Sequence, residues 1–292
     1  MSAITQVRNY LIVGGTAGIG KAVGQALVKQ GSVVTILGRT QPKDFPEATF
    51  IKGDLTLARD AKALGVSVDA SKLDTIVFTN GITGPAQRQV TAEGIELDLA
   101  VSALSRYAFM DGVLSKTGNQ RFGAQRSPES AFKPRVFVWG FPGENMTATV
   151  GDLNAEKKYY AADSHHNTVV VNEVLVTYLA ERDAGINVYG VKPGLINTGL
   201  PTKYAAMYLG STVAHSIVGP LVNLFIPSPE SYAENSVLPI IASPELENQN
   251  KALFAPSKAI IPSNPFLVKD GNYQKVLDET LALLKRAYDA KI

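Results

Sequence analysis

Apolar positions along this chain alternate between short unbroken runs and longer stretches in which they recur every three or four residues. That is the pattern of buried strands followed by amphipathic helices. Leu11-Ile12-Val13 is a run of the first kind, and Ala22, Val23, Ala26 and Leu27 then recur at helical spacing up to Gly31, a helix stop. Val33-Val34-Thr35-Ile36-Leu37 is a second buried strand. The alternation continues with a third strand before Asp54, a fourth at Thr75-Ile76-Val77-Phe78-Thr79 and a helix over 91–116. A fifth strand follows at Arg135-Val136-Phe137-Val138-Trp139, then a helix over 163–182 and a sixth strand over 186–191. Residues 230–242 and 272–288 read as amphipathic helices flanking a last strand near 252–255. Strand–helix alternation predicts an α/β Rossmann-type fold, a doubly wound parallel sheet of about seven strands in a single domain, with no internal repeat. The polar stretches 118–134 and 143–153 are expected loops, the second on the carboxyl edge of the sheet where ligands of such folds bind.

Between the first strand and the first helix lies Gly14-Gly15-Thr16-Ala17-Gly18-Ile19-Gly20. The first glycine lets the backbone leave the strand in a tight turn. The later ones allow close approach to a pyrophosphate and packing of helix on sheet, and the helix N-terminus attracts the anion. A nucleotide cofactor is the leading expectation. Arg39 and Thr40 end the second strand, with no acid until Asp44. A carboxylate there would accept from a ribose 2′-hydroxyl and repel a 2′-phosphate, whereas a guanidinium pairs with that phosphate in a charge-assisted fork, so the expected cofactor is NADP(H).

The spacing resembles the short-chain dehydrogenase/reductase family, whose first turn runs Thr-Gly-x-x-x-Gly-x-Gly, with Val13 where that Thr usually lies. The resemblance extends along most of the chain. Asp54-Leu55 after the third strand resembles the family's adenine contact, and Asn80-Gly81 looks like its Asn-Ala-Gly turn, with Asn80 in the Ala place. Pro193-Gly194-Leu195-Ile196-Asn197-Thr198 is similar to the Pro-Gly-x-x-x-Thr loop that holds the nicotinamide carboxamide. The resemblance therefore implies a cofactor site complete from adenine to nicotinamide.

The same resemblance implies catalysis by a Tyr-x-x-x-Lys pair on the helix before the sixth strand, a Ser at the end of the fifth strand and an Asn on the preceding long helix. In that set the Lys lowers the phenol pKa, the Ser holds the substrate oxygen and the phenol exchanges the proton that accompanies hydride transfer. Counting back from Pro193 without a gap puts Asp163 in the Tyr place and Asn167 in the Lys place. Gly140-Phe141-Pro142-Gly143 stand where the Ser should be, and Ser102 falls where the Asn would be. Tyr159 and Tyr160 lie about one turn before Asp163, but neither is followed at the fourth position by Lys.

A carboxylate in the phenol's place suits an iminium, which needs only hydride, better than a carbonyl, which needs hydride and proton together. The expectation is hydride transfer from NADPH to a cationic or polarised C=N, or a C=O, with Asp163 as counter-ion or acid/base and Tyr160 or His166 as proton source. Asp163 is also a favoured residue type at a helix start, where it would act as an N-cap. Two other classes stand beside this one. The first is a non-redox isomerase or cyclase with a structural dinucleotide, as divergent family members in natural-product secondary metabolism suggest; the second is a non-catalytic NADP(H)-binding protein.

Residues 199–228 form an insertion after the Pro-Gly loop that covers the substrate in the family, and Tyr204, Met207 and Tyr208 within it point to a bulky apolar substrate. The helices 91–116 and 163–182 commonly pair across a dimer axis in the family, so a homodimer is expected, with Val170, Val174 and Leu175 serving that interface or the core. The 292 residues, 45% of them hydrophobic, suffice for one full domain. Zero Cys excludes disulfides and thiol catalysis, and with three His, two of them adjacent and diverging by about 100° on a helix, no metal site is expected. A net charge of +2 with interspersed signs leaves no nucleic-acid footprint. No membrane span or signal peptide is recognised, so the expected location is cytoplasmic.

Overall fold

The computed structural model describes residues 7–82, 84–127, 132–198, 216 and 224–292. β1 (Asn9–Val13) shows why the strands carry continuous apolar runs: Leu11 and Val13 face one buried cluster while Tyr10 and Ile12 face another. β4 (Thr75–Phe78) and β5 (Arg135–Trp139) sort the same way, with Ile76, Phe78, Val136 and Val138 on one side and Val77, Phe137 and Trp139 on the other. These strands join β2 (Val33–Gly38), β3 (Thr49–Lys52), β6 (Asn187–Val191), β7 (Leu253–Phe254) and β8 (Ile260–Ile261) in an eight-stranded sheet of order β3-β2-β1-β4-β5-β6-β7-β8. All pairings are parallel except β7 with β8. The antiparallel β8 goes beyond the expected seven strands, because two residues are too few to show a period.

On one face lie α1 (Gly18–Lys29) and a continuous helical stretch made of α6 (Pro229–Tyr232), a π-helical turn Ala233–Val237 and α7 (Leu238–Ile241). The other face carries α2 (Ala58–Ser67), α3 (Leu97–Leu99), a π-helical turn Ala100–Leu104, α4 (Ser105–Leu114) and α5 (Ala161–Arg182). The helix expected over 91–116 therefore begins only at Leu97. Glu96 caps it, its carboxylate accepting from the Leu99 N–H at 2.9 Å, and Gly94 at φ +75° reverses the chain just before. The expected insertion over 199–228, including Tyr204, Met207 and Tyr208, lies outside the described residues except for Ser216 and 224–228. No helix among the described residues is long and apolar enough to cross a membrane.

After α8 (Pro265–Val268), the C-terminal α9 (Asn272–Asp289) lies across α2 and α5. Its Val276, Leu277, Leu283, Leu284 and Ala287 join the buried cluster that holds Val170, Val174 and Leu175, and Arg286 pairs with Glu156 at 2.8 Å. Those three α5 residues are fully buried in the chain's own core. Leu284→Ala is expected to destabilise the fold by about 2–5 kcal/mol, read as a lowered urea midpoint. An unchanged midpoint would show that α9 is not part of the cooperative core.

Candidate active site

The strand order reverses between β1 and β4, and there the two strand ends meet. Gly14 leaves β1 at φ +88°, and a Cβ on it would lie 2.4 Å from the Asn80 backbone nitrogen. Gly20 lets α1 sit equally close, since its Cβ would be 2.3 Å from Thr79 Oγ1 and 2.5 Å from the Gly14 carbonyl. Gly18 opens α1 at φ +51°, with Thr198 Cγ2 3.4 Å from where a Cβ would stand, and Thr16 packs its Cγ2 2.6 Å from that position on Gly38. Ala17 caps α1 without a side-chain acceptor, so the helix's first N–H groups have no side chain to satisfy them. Steric need for glycine and free helix-terminal amides together fit a dinucleotide pyrophosphate.

The flanking positions lie along the same edge. Arg39 and Thr40 are exposed at the end of β2, and Asp44 is taken up by Lys21 at 2.6 Å. Asp54 is exposed after β3, its Oδ1 accepting from Thr56 N at 2.8 Å and Oγ1 at 2.6 Å, while Leu55 is buried. Asn80 uses its side chain inwardly, donating to Val101 O at 2.8 Å and Ser105 Oγ at 3.0 Å. In the Pro-Gly loop, Pro193 and Ile196 are buried, Gly194 has φ +73°, and Asn197 N donates to Pro227 O at 2.9 Å.

The strand ends on the catalytic side are held by a residue that the sequence reading passed over. Arg106 of α4 is almost fully buried and donates to Trp139 O at 2.6 Å, to Asn80 O, and to Asn172 Oδ1 of α5 at 2.9 Å. Burial holds its pKa at about 9, partly offset by the negative charge of Asp98. Asn172 in turn donates to Ser102 O at 2.9 Å and packs where a Cβ on Gly140 would fall, 2.9 Å from its own Cβ. The face of α5 that meets the ends of β4 and β5 thus carries Asn172 and, two turns earlier, His165. His165 Nδ1 lies 2.9 Å from Oδ2 of the fully buried Asp98, whose Oδ1 accepts from Ser102 Oγ at 2.6 Å. Ser102 Oγ also accepts from Ile82 N at 3.0 Å and touches the Gly81 position at 3.4 Å. Tyr159 Oη donates to Pro85 O at 2.5 Å, and burial, then the charges of Glu96 and Asp98, raise its pKa.

The residues expected at the catalytic centre fall differently. Asp163 is exposed at the third position of α5, past the N-cap Tyr160, on the side that meets the 149–155 loop rather than the strand ends. It lines a shallow depression of about 100 Å³ there with Lys158, Tyr160 and Asn167. Asn167 is consumed structurally, accepting from Thr149 N at 2.8 Å and donating to Leu153 O at 3.1 Å. Tyr160 is half exposed under Lys158, with Nζ 4.3 Å from its ring centroid, so it is Tyr159 and not Tyr160 that reaches the Asp98 cluster. His166 has no side-chain partner among the described residues. After β5, Phe141 adopts φ +52°, a strained setting for a bulky residue, and the loop beyond is pinned by the Glu173 carboxylate accepting from Gly143 N and Asn264 N at 2.7 Å each.

Similarity to known proteins agrees with this geometry. No protein-family model matches the chain. It is 36% identical over 286 residues to the uncharacterized oxidoreductase YKL107W of Saccharomyces cerevisiae, covering 96% of this chain and 88% of the yeast protein. A short-chain dehydrogenase/reductase of Phomopsis amygdali is 24% identical over 210 residues, 65% of this chain and 61% of the other. The 3-alpha-hydroxysteroid dehydrogenase from Pseudomonas sp. B-0831 complexed with NADH shares the fold, with a TM-score of 0.59 at 19% identity over 85% of this chain and 94% of that one. A doubly wound sheet with a glycine cradle at its switch point defines a nucleotide-binding α/β protein. This chain belongs to the short-chain dehydrogenase/reductase family and is an oxidoreductase of that type.

The hydrogen bond to Asp98 raises the His165 pKa from its ordinary 6.5, more than burial lowers it, and the charges of Asp98 and Glu96 act in the same direction. The folded state therefore holds this proton more tightly than the unfolded chain does. The resulting stabilisation is fully present below the unfolded pKa and is lost as pH rises through the folded one. Relative to His165→Gln, the wild type is expected to gain more stability near about pH 6 than near about pH 9 in urea unfolding. A difference that does not change with pH would show that the pair carries no linkage.

Proposed function

We propose that the protein is an NADP(H)-dependent oxidoreductase that moves hydride between the nicotinamide and a C=O or C=N carbon of a bulky apolar substrate. The observation that carries the cofactor choice is Arg39: it is exposed at the end of β2, beside the cradle of Gly38 and Thr16, with no ion pair or hydrogen bond among the described residues. A guanidinium free at this position suits a ribose 2′-phosphate, and Asp44, the nearest acid in sequence, is neutralised by Lys21. The turn Gly14 to Gly20 would hold the pyrophosphate, and the loop Pro193 to Thr198 the carboxamide.

Support for an apolar substrate comes from Leu195 of the Pro-Gly loop and from Leu224 and Phe225, shortly before the Pro227 carbonyl that accepts from Asn197 N of that loop; the three are 74%, 73% and 75% exposed. Exposed large apolar side chains near a ligand site suit an apolar ligand. When bound, the reduced dinucleotide supplies the hydride. The protein's part is to orient the acceptor carbon and to manage the proton at the ends of β4 and β5.

Calorimetric titration tests this reading. NADPH is expected to bind about tenfold or more tightly than NADH, a difference of about 1.4 kcal/mol, and Arg39→Ala is expected to abolish that preference while leaving NADH affinity unchanged. Equal affinity for the two in the wild type would overturn the choice of NADP(H), and no binding of either would overturn the cofactor reading itself. Stoichiometric consumption of NADPH with product separates redox turnover from an isomerase or cyclase.

A further inference from the structure

The Asp98 cluster has the form of a held imidazole. Asp98 is buried without any exposed surface, and each of its oxygens has a short side-chain partner: Ser102 Oγ at 2.6 Å and His165 Nδ1 at 2.9 Å. With Nδ1 committed, the Nε2 of His165 has no protein hydrogen bond among the described residues, and the side chain remains 44% exposed. Ser102 is bonded to Asp98 and not to the imidazole, so the order is Ser-Asp-His. A serine in that order is not activated as a nucleophile, which sets the cluster apart from an acyl-transfer triad. The cluster begins at Gly81 and Ile82, in the turn that follows β4, and runs outward to the imidazole.

We propose that His165 is the catalytic proton donor for reduction of a bulky carbonyl at this site, with Asp98 as its positioning residue and Ser102 fixing Asp98. The inference rests on the redox reading above. Hydride from the reduced nicotinamide dinucleotide enters at the carbonyl carbon, the π pair of C=O moves to oxygen, and that oxygen takes the Nε2 proton. An alcohol, the oxidised dinucleotide and a neutral imidazole result, and solvent returns the proton. In the oxidative direction the neutral imidazole accepts the hydroxyl proton.

Charge around the ring suits the task. Asp98 and Glu96 face it from the α3 end, Tyr159 approaches from the residues before α5, and Arg88 nearby donates to Asn154 O at 3.1 Å. The two carboxylates favour the imidazolium, the form that gives up a proton. An imidazolium at the reacting oxygen is itself a cation, which disfavours a cationic iminium and favours a neutral carbonyl, so the C=O alternative is preferred.

Three measurements on the full chain test this. With only three histidines, NMR titration assigned through His165→Gln is expected to show the His165 pKa above 6.5 and a fall of about one unit or more in Asp98→Asn. No fall in Asp98→Asn would overturn the positioning role. Carbethoxylation of His165 by diethyl pyrocarbonate, followed by mass spectrometry, is expected to slow several-fold when NADP+ is saturating; an unchanged rate with NADP+ demonstrably bound would place His165 away from the nicotinamide and overturn the proposal. With NADPH and phenanthrenequinone as a bulky carbonyl probe, His165→Gln is expected to lose about 100-fold or more in kcat with KM little altered. Equal kcat in variant and wild type, or a wild type that binds NADPH and leaves the quinone unreduced, would overturn it. Failure to bind any dinucleotide sinks the underlying cofactor reading and leaves the NMR result standing, so the two failures are distinct.

Discussion

The carbonyl oxygens of Asn80 and Trp139, where β4 and β5 end, receive their hydrogen bonds from one guanidinium, that of Arg106. The rest of the site depends on that contact. Strand-end carbonyls buried under helices need donors, and an unpaired buried guanidinium would be still more costly, so each group requires the other. Arg106 is fixed to α4 and is gripped from α5 by Asn172. Four elements, β4, β5, α4 and α5, are thereby locked in relative position at the edge of the sheet.

Two facing stripes follow from that lock. On the α3–α4 helix, Asp98, Ser102 and Arg106 recur every four residues and so share one face; on α5, His165 and Asn172 lie two turns apart on the face opposite. The π-helical turn Ala100–Leu104 carries Ser102 within this stripe, the kind of local irregularity that gathers at functional sites. A stripe of carboxylate, hydroxyl and guanidinium against imidazole and amide makes a polar seam in which, among the described residues, the buried Arg106 Nε and the second ring nitrogen of His165 have no protein partner. The cation at the strand ends comes from α4, whereas the resemblance to the family placed a lysine on α5.

Most of the fold was legible along the chain. β5 was expected at the residues where it stands, β1, β2, β4 and β6 to within about two residues, and α9 to within one, because buried parallel strands carry unbroken apolar runs and surface helices carry a period near 3.6. The glycine turn was equally legible from its local spacing, although the atoms that leave no room for a Cβ at Gly14 and Gly20 include those of the distant Asn80 and Thr79. β8 was missed because two residues have no period, and the start of the helix at Leu97 was missed because the capping carboxylate of Glu96 lies behind a reversal at Gly94.

The catalytic side shows where local pattern stops. Counting back from Pro193 selects Asp163 only if the connection between α5 and β6 has a set length, and each residue gained or lost there turns the helix by about 100°. The observed contacts put His165 on the strand-end face, two positions further on, and turn Asp163 and Asn167 toward the 149–155 loop. The sequence by itself determined which segments become strands, where the glycine turn lies and that a cation, Arg39, follows the second strand, because each is read from residues a few positions apart. Only the tertiary structure decided that Asp98, Ser102, Arg106, His165 and Asn172 form one network, because helix phase is set by packing between residues up to 70 positions apart.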